Sequence, residues 1–173
     1  MNINETYIGL LDDQWAALLK ATDGLTLAEL DKRPGAQANP IGWTVWHSAR
    51  AEDSIVRGVL QKQPQLWEAA GWFKKFGIED VKGTGERQTP EQVGQFKTPS
   101  RDMLLAYASM VRDSTKTYVA SASQVELDTQ IPWYRGGTVP KSHYLNLLVR
   151  EVHQHVGQIA YIRGLLRGHE GLF

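Results

Sequence analysis

The stretch SHYLNLLVREVHQHVGQIAYIRGLLRG, from Ser142 to Gly168, constrains the fold of this chain more than any other. Tyr144, Leu148, Glu151, His155, Gln158, Ile162 and Leu166 recur at steps of four and three, which places them on one face of an α-helix. A carboxylate and an imidazole therefore stand one turn apart in the middle of a stripe expected to point into a core. Burying an unpaired carboxylate costs several kcal/mol, so Glu151 needs a partner. Two ligand-type side chains at i and i+4 on an inward face can share a metal ion. Read alone, Glu151 is more simply a solvated glutamate with Arg150 or Arg163 near the helix flank. His153 lies about 200° round the helix from both residues and is expected at the surface. Gly157, inside the same helix, costs about 1 kcal/mol relative to alanine, which suggests close approach of another helix or of a ligand.

The 173 residues fit a single domain, 1–173, large enough to bury one core. Lys plus Arg equals Asp plus Glu at 19 each, so net charge gives no general attraction to nucleic acid or to an anionic membrane. There is no cysteine, which removes disulfides, cysteine-ligated metals and a cysteine nucleophile; any thiol chemistry must bring its thiol from outside. The opening MNINETYIGLLDDQW does not read as a signal peptide, and no segment reaches the ~18 consecutive apolar residues of a membrane-spanning helix. A cytoplasmic protein is the expectation.

Ile8, Leu11, Trp15, Leu18, Thr22 and Leu25 give a first long helix from Glu5 to about Thr22. Thr26 and Glu29 spell a capping box, so TLAELDKR is a short helix stopped by Pro34. A second long helix starts near Pro40 and runs through IGWTVWHSARAEDSIVRGVLQ. On it His47, Ala51, Ser54 and Gly58 form a narrow stripe of small residues, which permits a tight helix crossing or open space beside His47. Taken alone, His47 is either a core histidine bonded to an acceptor or a metal ligand. Arg50, Glu52, Asp53 and Arg57 read as surface or helix-end charges.

Residues 63–99 form a long excursion. Its Trp67, Trp72, Phe73 and Phe76 either cover a pocket mouth or seal one end of the core, and Thr89, Pro90 and Gln92 start a short helix. A third long helix runs from Ser100, as N-cap, to about Ala120, with Leu104, Tyr107, Val111, Ser114 or Thr115, and Tyr118 at core spacing. DTQIPWYRGGTVPK then reverses the chain, with Gly136 and Gly137 suited to a small hairpin. With no internal repeat and no strand pattern long enough for a sheet, the prediction is an all-α four-helix bundle with short extra helices in its crossovers.

His47, Glu151 and His155 together offer two imidazoles and one carboxylate, a set that leaves a coordination position open, as in catalytic zinc sites. It is not the metalloprotease HExxH pattern. The segments GWTVWHSARAED and HQHVGQIAYIRGLLRG resemble the DinB-like superfamily, which includes thiol-dependent maleylpyruvate isomerases and bacillithiol and mycothiol transferases. The resemblance spans nearly the whole chain. It implies up-down-down-up connectivity, a divalent metal held by three side chains, and homodimers. By that resemblance His47 and His155 match ligand positions, and Glu151 stands where the common pattern has a histidine; the maleylpyruvate isomerase branch is similar in using His, Glu and His.

The resulting expectation is a divalent metal, zinc or nickel, activating a low-molecular-weight thiol for S-transfer or isomerisation. Trp43, Trp46, Trp133 and Tyr134 are candidate substrate-binding wall residues, Arg135 and Arg163 candidate carboxylate anchors, and Gln158 a candidate support for His155. The alternatives are a non-catalytic metal or small-molecule binding protein and a metal-dependent hydrolase.

Overall fold

The long helices start either on a capping side chain or directly after a proline. In the computed structural model, which describes residues 2–168, Asn2 and Glu5 form a capping box on α1 (Ile3–Thr22), and Thr26 and Glu29 form another on α2 (Leu27–Asp31). Pro40 precedes α3 (Ile41–Asp53), whose chain continues without a break into a π-helical segment, Ser54–Leu60. The excursion carries α4 (Leu66–Ala69), α5 (Trp72–Phe76) and α6 (Pro90–Gln95), the last capped by Thr89 and Gln92. Ser100 caps α7 (Arg101–Ser121), and α8 (Gln124–Asp128) leads to an antiparallel hairpin, β1 (Gln130–Pro132) and β2 (Thr138–Pro140), with Ile131 opposite Val139. The last helix, α9, runs Lys141–Arg167.

Hydrogen bonds between helices fix their directions. Tyr7 bonds Asn146, Gln14 reaches the Val152 carbonyl and Arg163 the Asp23 carbonyl, so α1 and α9 run parallel. Arg101 meets the Thr22 carbonyl, Arg112 the Leu11 carbonyl and Asn4 the Ala122 carbonyl, so α7 runs against α1. Glu52 on α3 bonds Arg112, and Thr98, just before α7, packs against Gly42 near the start of α3, so α3 and α7 run together. The result is an up-down-down-up four-helix bundle. Among the described residues no helix is long and apolar enough to cross a membrane.

Three expectations change. Arg50, Glu52 and Asp53 are buried, not surface charges, because partners far along the chain claim them. Asp53 accepts the Leu66 and Trp67 amides, capping α4 from across the fold, and the Tyr107 hydroxyl donates to it. That carboxylate adds to burial in raising the Tyr107 phenol well above its ordinary value. Glu52 takes both nitrogens of a bidentate Arg112 fork at 2.9 Å. Second, the helix through His47 keeps α geometry only to Asp53; Gln61 then bonds the Val56 carbonyl five residues back. Third, a Cβ at Gly157 would meet nothing within 4 Å, so no helix approaches there. Of the two readings of the excursion, Trp67, Trp72 and Phe76 take the seal: all three are buried and pack around Tyr107.

The Glu52–Arg112 pair gives a stability test. Removing one partner leaves a buried charge uncompensated, so Glu52→Ala or Arg112→Ala should lower the unfolding free energy by about 3–5 kcal/mol in urea titrations, while Glu52→Leu with Arg112→Met should recover most of that loss.

Candidate functional site

The apolar face of α9 is carried by Leu145, Leu148, Val152, Ile159 and Ile162, all buried against the other helices. Glu151 and His155 sit on the edge of that face, not at its middle: the glutamate side chain keeps 33% of its surface, and Gln158 is exposed. Edge placement gives the carboxylate access to water, which relieves the burial cost that a central position would impose. His155 is 9% exposed, with its Nε2 3.7 Å from Glu151 Oε2.

His47 comes from α3 and brings its ring to 4.9 Å from that of His155, edge to face. Its other face stacks on Trp43 at 4.8 Å with 9° between the planes, and Trp43 Nε1 donates to Gln88. The His47 Nδ1 lies 2.6 Å from the Thr84 carbonyl; an amide oxygen only accepts, so Nδ1 carries the proton and Nε2 keeps its lone pair. His155 repeats the arrangement, with Nδ1 donating to Gln158 Oε1 at 2.9 Å and Nε2 buried without a partner. Burial, the larger influence, lowers the His47 pKa below its ordinary 6.5 against the opposing pull of the Thr84 bond.

Thr84 is set in place by the loop on either side of it. Gly83 and Lys82 give their carbonyls to the Arg50 guanidinium, and Asp80 accepts the Lys82 and Gly83 amides. Gly85, at φ +87°, passes so close beneath the indoles that a Cβ would stand 2.8 Å from both Trp43 and Trp46 and 3.3 Å from His47 Nδ1. Beside the histidine the fold leaves a cavity of about 370 Å³, bounded by the α3 end and its π segment, the Thr84 loop, the hairpin turn and α9. His47, Glu151, Glu86, Tyr134 and Tyr144 line it, with Ala51, Ile55, Val59 and Leu147 as the apolar wall.

The predicted site residues therefore divide. His47, Glu151 and His155 come together, with Gln158 behind His155. Tyr134 lines the cavity, Trp133 packs behind it against Tyr144, and Arg135 lays its guanidinium over the Tyr134 ring. Trp43 backs His47, and Trp46 lies in the core against Trp67 and Phe96. Arg163 is at the other end of α9, bonded to the Asp23 carbonyl. His153 bonds the Val149 carbonyl of its own helix. The residues that periodicity misses are Thr84, whose contribution is a backbone oxygen, and Glu86; the GTG of the loop is their one trace in the sequence.

Among the described residues no three His, Asp or Glu side chains already stand in a geometry that holds a metal ion. The donor set nonetheless fits a divalent cation. Two imidazoles have their Nδ1 atoms committed to oxygen acceptors, one Nε2 is buried with no hydrogen-bond partner, and a carboxylate lies within 3.7 Å of it.

Two measurements check this geometry. Gly85→Ala should lose about 2 kcal/mol of stability by strain and overpacking, whereas Gly157→Ala, with open space at its Cβ, should gain about 1 kcal/mol. Because His47 is harder to protonate folded than unfolded, its contribution is full above pH 6.5 and is lost as pH falls; in metal-free protein His47→Gln should flatten the decline in unfolding free energy below that pH.

No curated protein matches the chain. The crystal structure of a conserved protein from Enterococcus faecalis superposes with a TM-score of 0.87 at 23% identity, over 97% of this chain and 99% of that one, a likeness of fold. The family profile described as the DinB superfamily matches residues 10–159, from within α1 to just past Gln158 on α9, and the chain belongs to that superfamily.

Proposed function

We propose that this protein binds a divalent metal, zinc or nickel, through His47, Glu151 and His155 and acts on a small molecule in the adjoining cavity as a thiol-dependent S-transferase or isomerase. The observation that carries the reading is the pair of imidazoles held in one tautomer, each with Nε2 left to donate, beside a partly solvated carboxylate. A metal so held would lower the pKa of a thiol or water at its open position. Thr84 and Gln158 orient the rings, and Glu151 supplies the negative charge that favours a cation. The apolar wall of Ile55, Val59 and Leu147 keeps water from the stem of a bound substrate. With no cysteine in the chain, the thiol is a second substrate. Tyr134 is the substrate contact on the hairpin, with Trp133 behind it and Arg135 at the rim. A homodimer is part of the proposal, supported by Leu19 on α1 and Tyr161 and Leu165 on α9, which stay exposed.

A second reading, a metal or small-molecule binder without turnover, is favoured by one observation: the ligand side chains do not already stand in metal-holding geometry. Thiol-dependent turnover separates the two, and turnover with water alone would point to a hydrolase.

Elemental analysis and zinc titration of untagged protein test the site. Ala at His47, Glu151 or His155 should abolish binding, His153→Ala should leave it intact, and Gln158→Ala should weaken it by about 10–100-fold. Metal retained by all three ligand variants would refute the assignment.

A further inference from the structure

Three successive carbonyls of one loop turn toward α3. Those of Lys82 and Gly83 accept from Arg50 at 3.5 and 3.2 Å, and that of Thr84 accepts from His47 Nδ1 at 2.6 Å. Arg50 follows His47 by three residues, so the two side chains lie one turn apart on the same helix. Successive residues of an extended chain face opposite sides, and bringing three carbonyls to one side requires a tight turn. Asp80 and Gly85 supply it. The Asp80 carboxylate accepts the Lys82 and Gly83 amides, a Cβ at Gly83 would overlap that carboxylate, and Gly85 takes φ +87° beneath the Trp43 and Trp46 indoles.

Little else fixes the Thr84 carbonyl. Among residues 81–88 only Gly85 is buried, so apolar packing holds this stretch weakly. Trp43 Nε1 donates to Gln88, which ties the loop beyond Thr84. Before Thr84 the ties are Arg50 from inside and Asp80 from the solvent side. The His47 ring itself is steadied differently, by its stack on Trp43 of the same helix. The place of the ring and the place of its proton therefore have separate supports.

We infer that Arg50 is a positioning residue for His47: by fixing the carbonyls of residues 82–84 it keeps the imidazole proton on Nδ1 and leaves Nε2 as the lone-pair donor. Without that carbonyl a neutral imidazole divides its proton between the two nitrogens, and the form protonated on Nε2 offers no lone pair there. The tautomer stands independently of any metal; its consequence for zinc affinity rests on the proposed ligand set. His155, whose Nδ1 is held by Gln158 of its own helix, lies outside this control and serves as the internal reference.

Nitrogen NMR of the histidine rings in EDTA-treated full-length protein, at about pH 8 and so above the ordinary histidine range, reads each tautomer; zinc titration reads the consequence. Arg50→Met should lower the ratio of Nδ1–H to Nε2–H forms at His47 about tenfold or more and leave His155 unchanged. Gln158→Ala should do the reverse. Asp80→Ala removes the brace from the exposed side of the loop and should lower the His47 ratio at least about threefold. It decides the question if circular dichroism shows Arg50→Met unfolded. Zinc affinity should fall about 10–100-fold with the tautomer. A folded Arg50→Met with the His47 tautomer unchanged, an unchanged Asp80→Ala where Arg50→Met unfolds, or a change that His155 shares overturns the inference. A tautomer shift with zinc affinity unaltered, or in a protein that takes up no zinc, would overturn the metal assignment alone. Zinc uptake with the tautomer unmoved would overturn this inference alone.

Discussion

A guanidinium with no surface in water must hand its N–H groups to the protein, and Arg50 hands them to segments far apart in the chain. Gln65 lies before α4, and the Gly83 and Lys82 carbonyls lie in the loop after α5. The guanidinium carbon stands over the Trp67 ring at 5.0 Å, and Asp53, one turn along α3, balances its charge while capping α4. The excursion is thereby fastened to α3 at both ends. Its fastening determines where the Thr84 carbonyl falls, and that carbonyl decides which nitrogen of His47 bears a proton. The chemistry of a histidine thus depends on an arginine three residues away through a path of backbone that passes round the excursion.

The second half of the site depends on where the α9 stripe stops being dry. Leu148 and Val152 close the bundle; Glu151, on the next ridge, meets the cavity edge, with the buried His155 one turn behind it. A carboxylate at the centre of the stripe would carry the full cost of desolvation, and one on the outer face would be screened. At the edge it stays in reach of water and close to a buried imidazole, the placement a cation-binding position requires.

The regular parts of this architecture can be read from residue spacing because they depend on local rules. Thr26 with Glu29, Thr89 with Gln92, and Ser100 satisfy the orphan amides of a first turn from within the same few residues, so both spacing and outcome are visible in sequence. The His47, Glu151 and His155 grouping is legible for a related reason, since helical phase and bundle topology bring α3 and α9 face to face. Arg50, Glu52 and Asp53 are not legible. Their spacing is that of a solvated helix flank, and what buries them is Arg112, the Trp67 amide and carbonyls of the loop, none of which periodicity connects to α3. Thr84 is hidden for a different reason: a backbone oxygen has no letter in the sequence. Gly157 misleads in the opposite direction, since a helical glycine invites a packing explanation that its surroundings do not supply.

The π segment Ser54–Leu60 places Ser54, Ile55 and Val59 in the cavity wall. Hydrogen bonds that reach back five residues accommodate more chain per turn than an α-helix does. Restoring the tighter winding by deleting one residue would rotate everything beyond it by about 100°, one residue's share of a turn. Here such a deletion would leave α3 and the His47 ring untouched while turning the Val56 and Leu60 side chains, now buried against α7 and α9, out of their places. The segment is therefore a phase adjuster between two duties of one helix: upstream it aims a histidine at α9, and downstream it returns apolar side chains to the core.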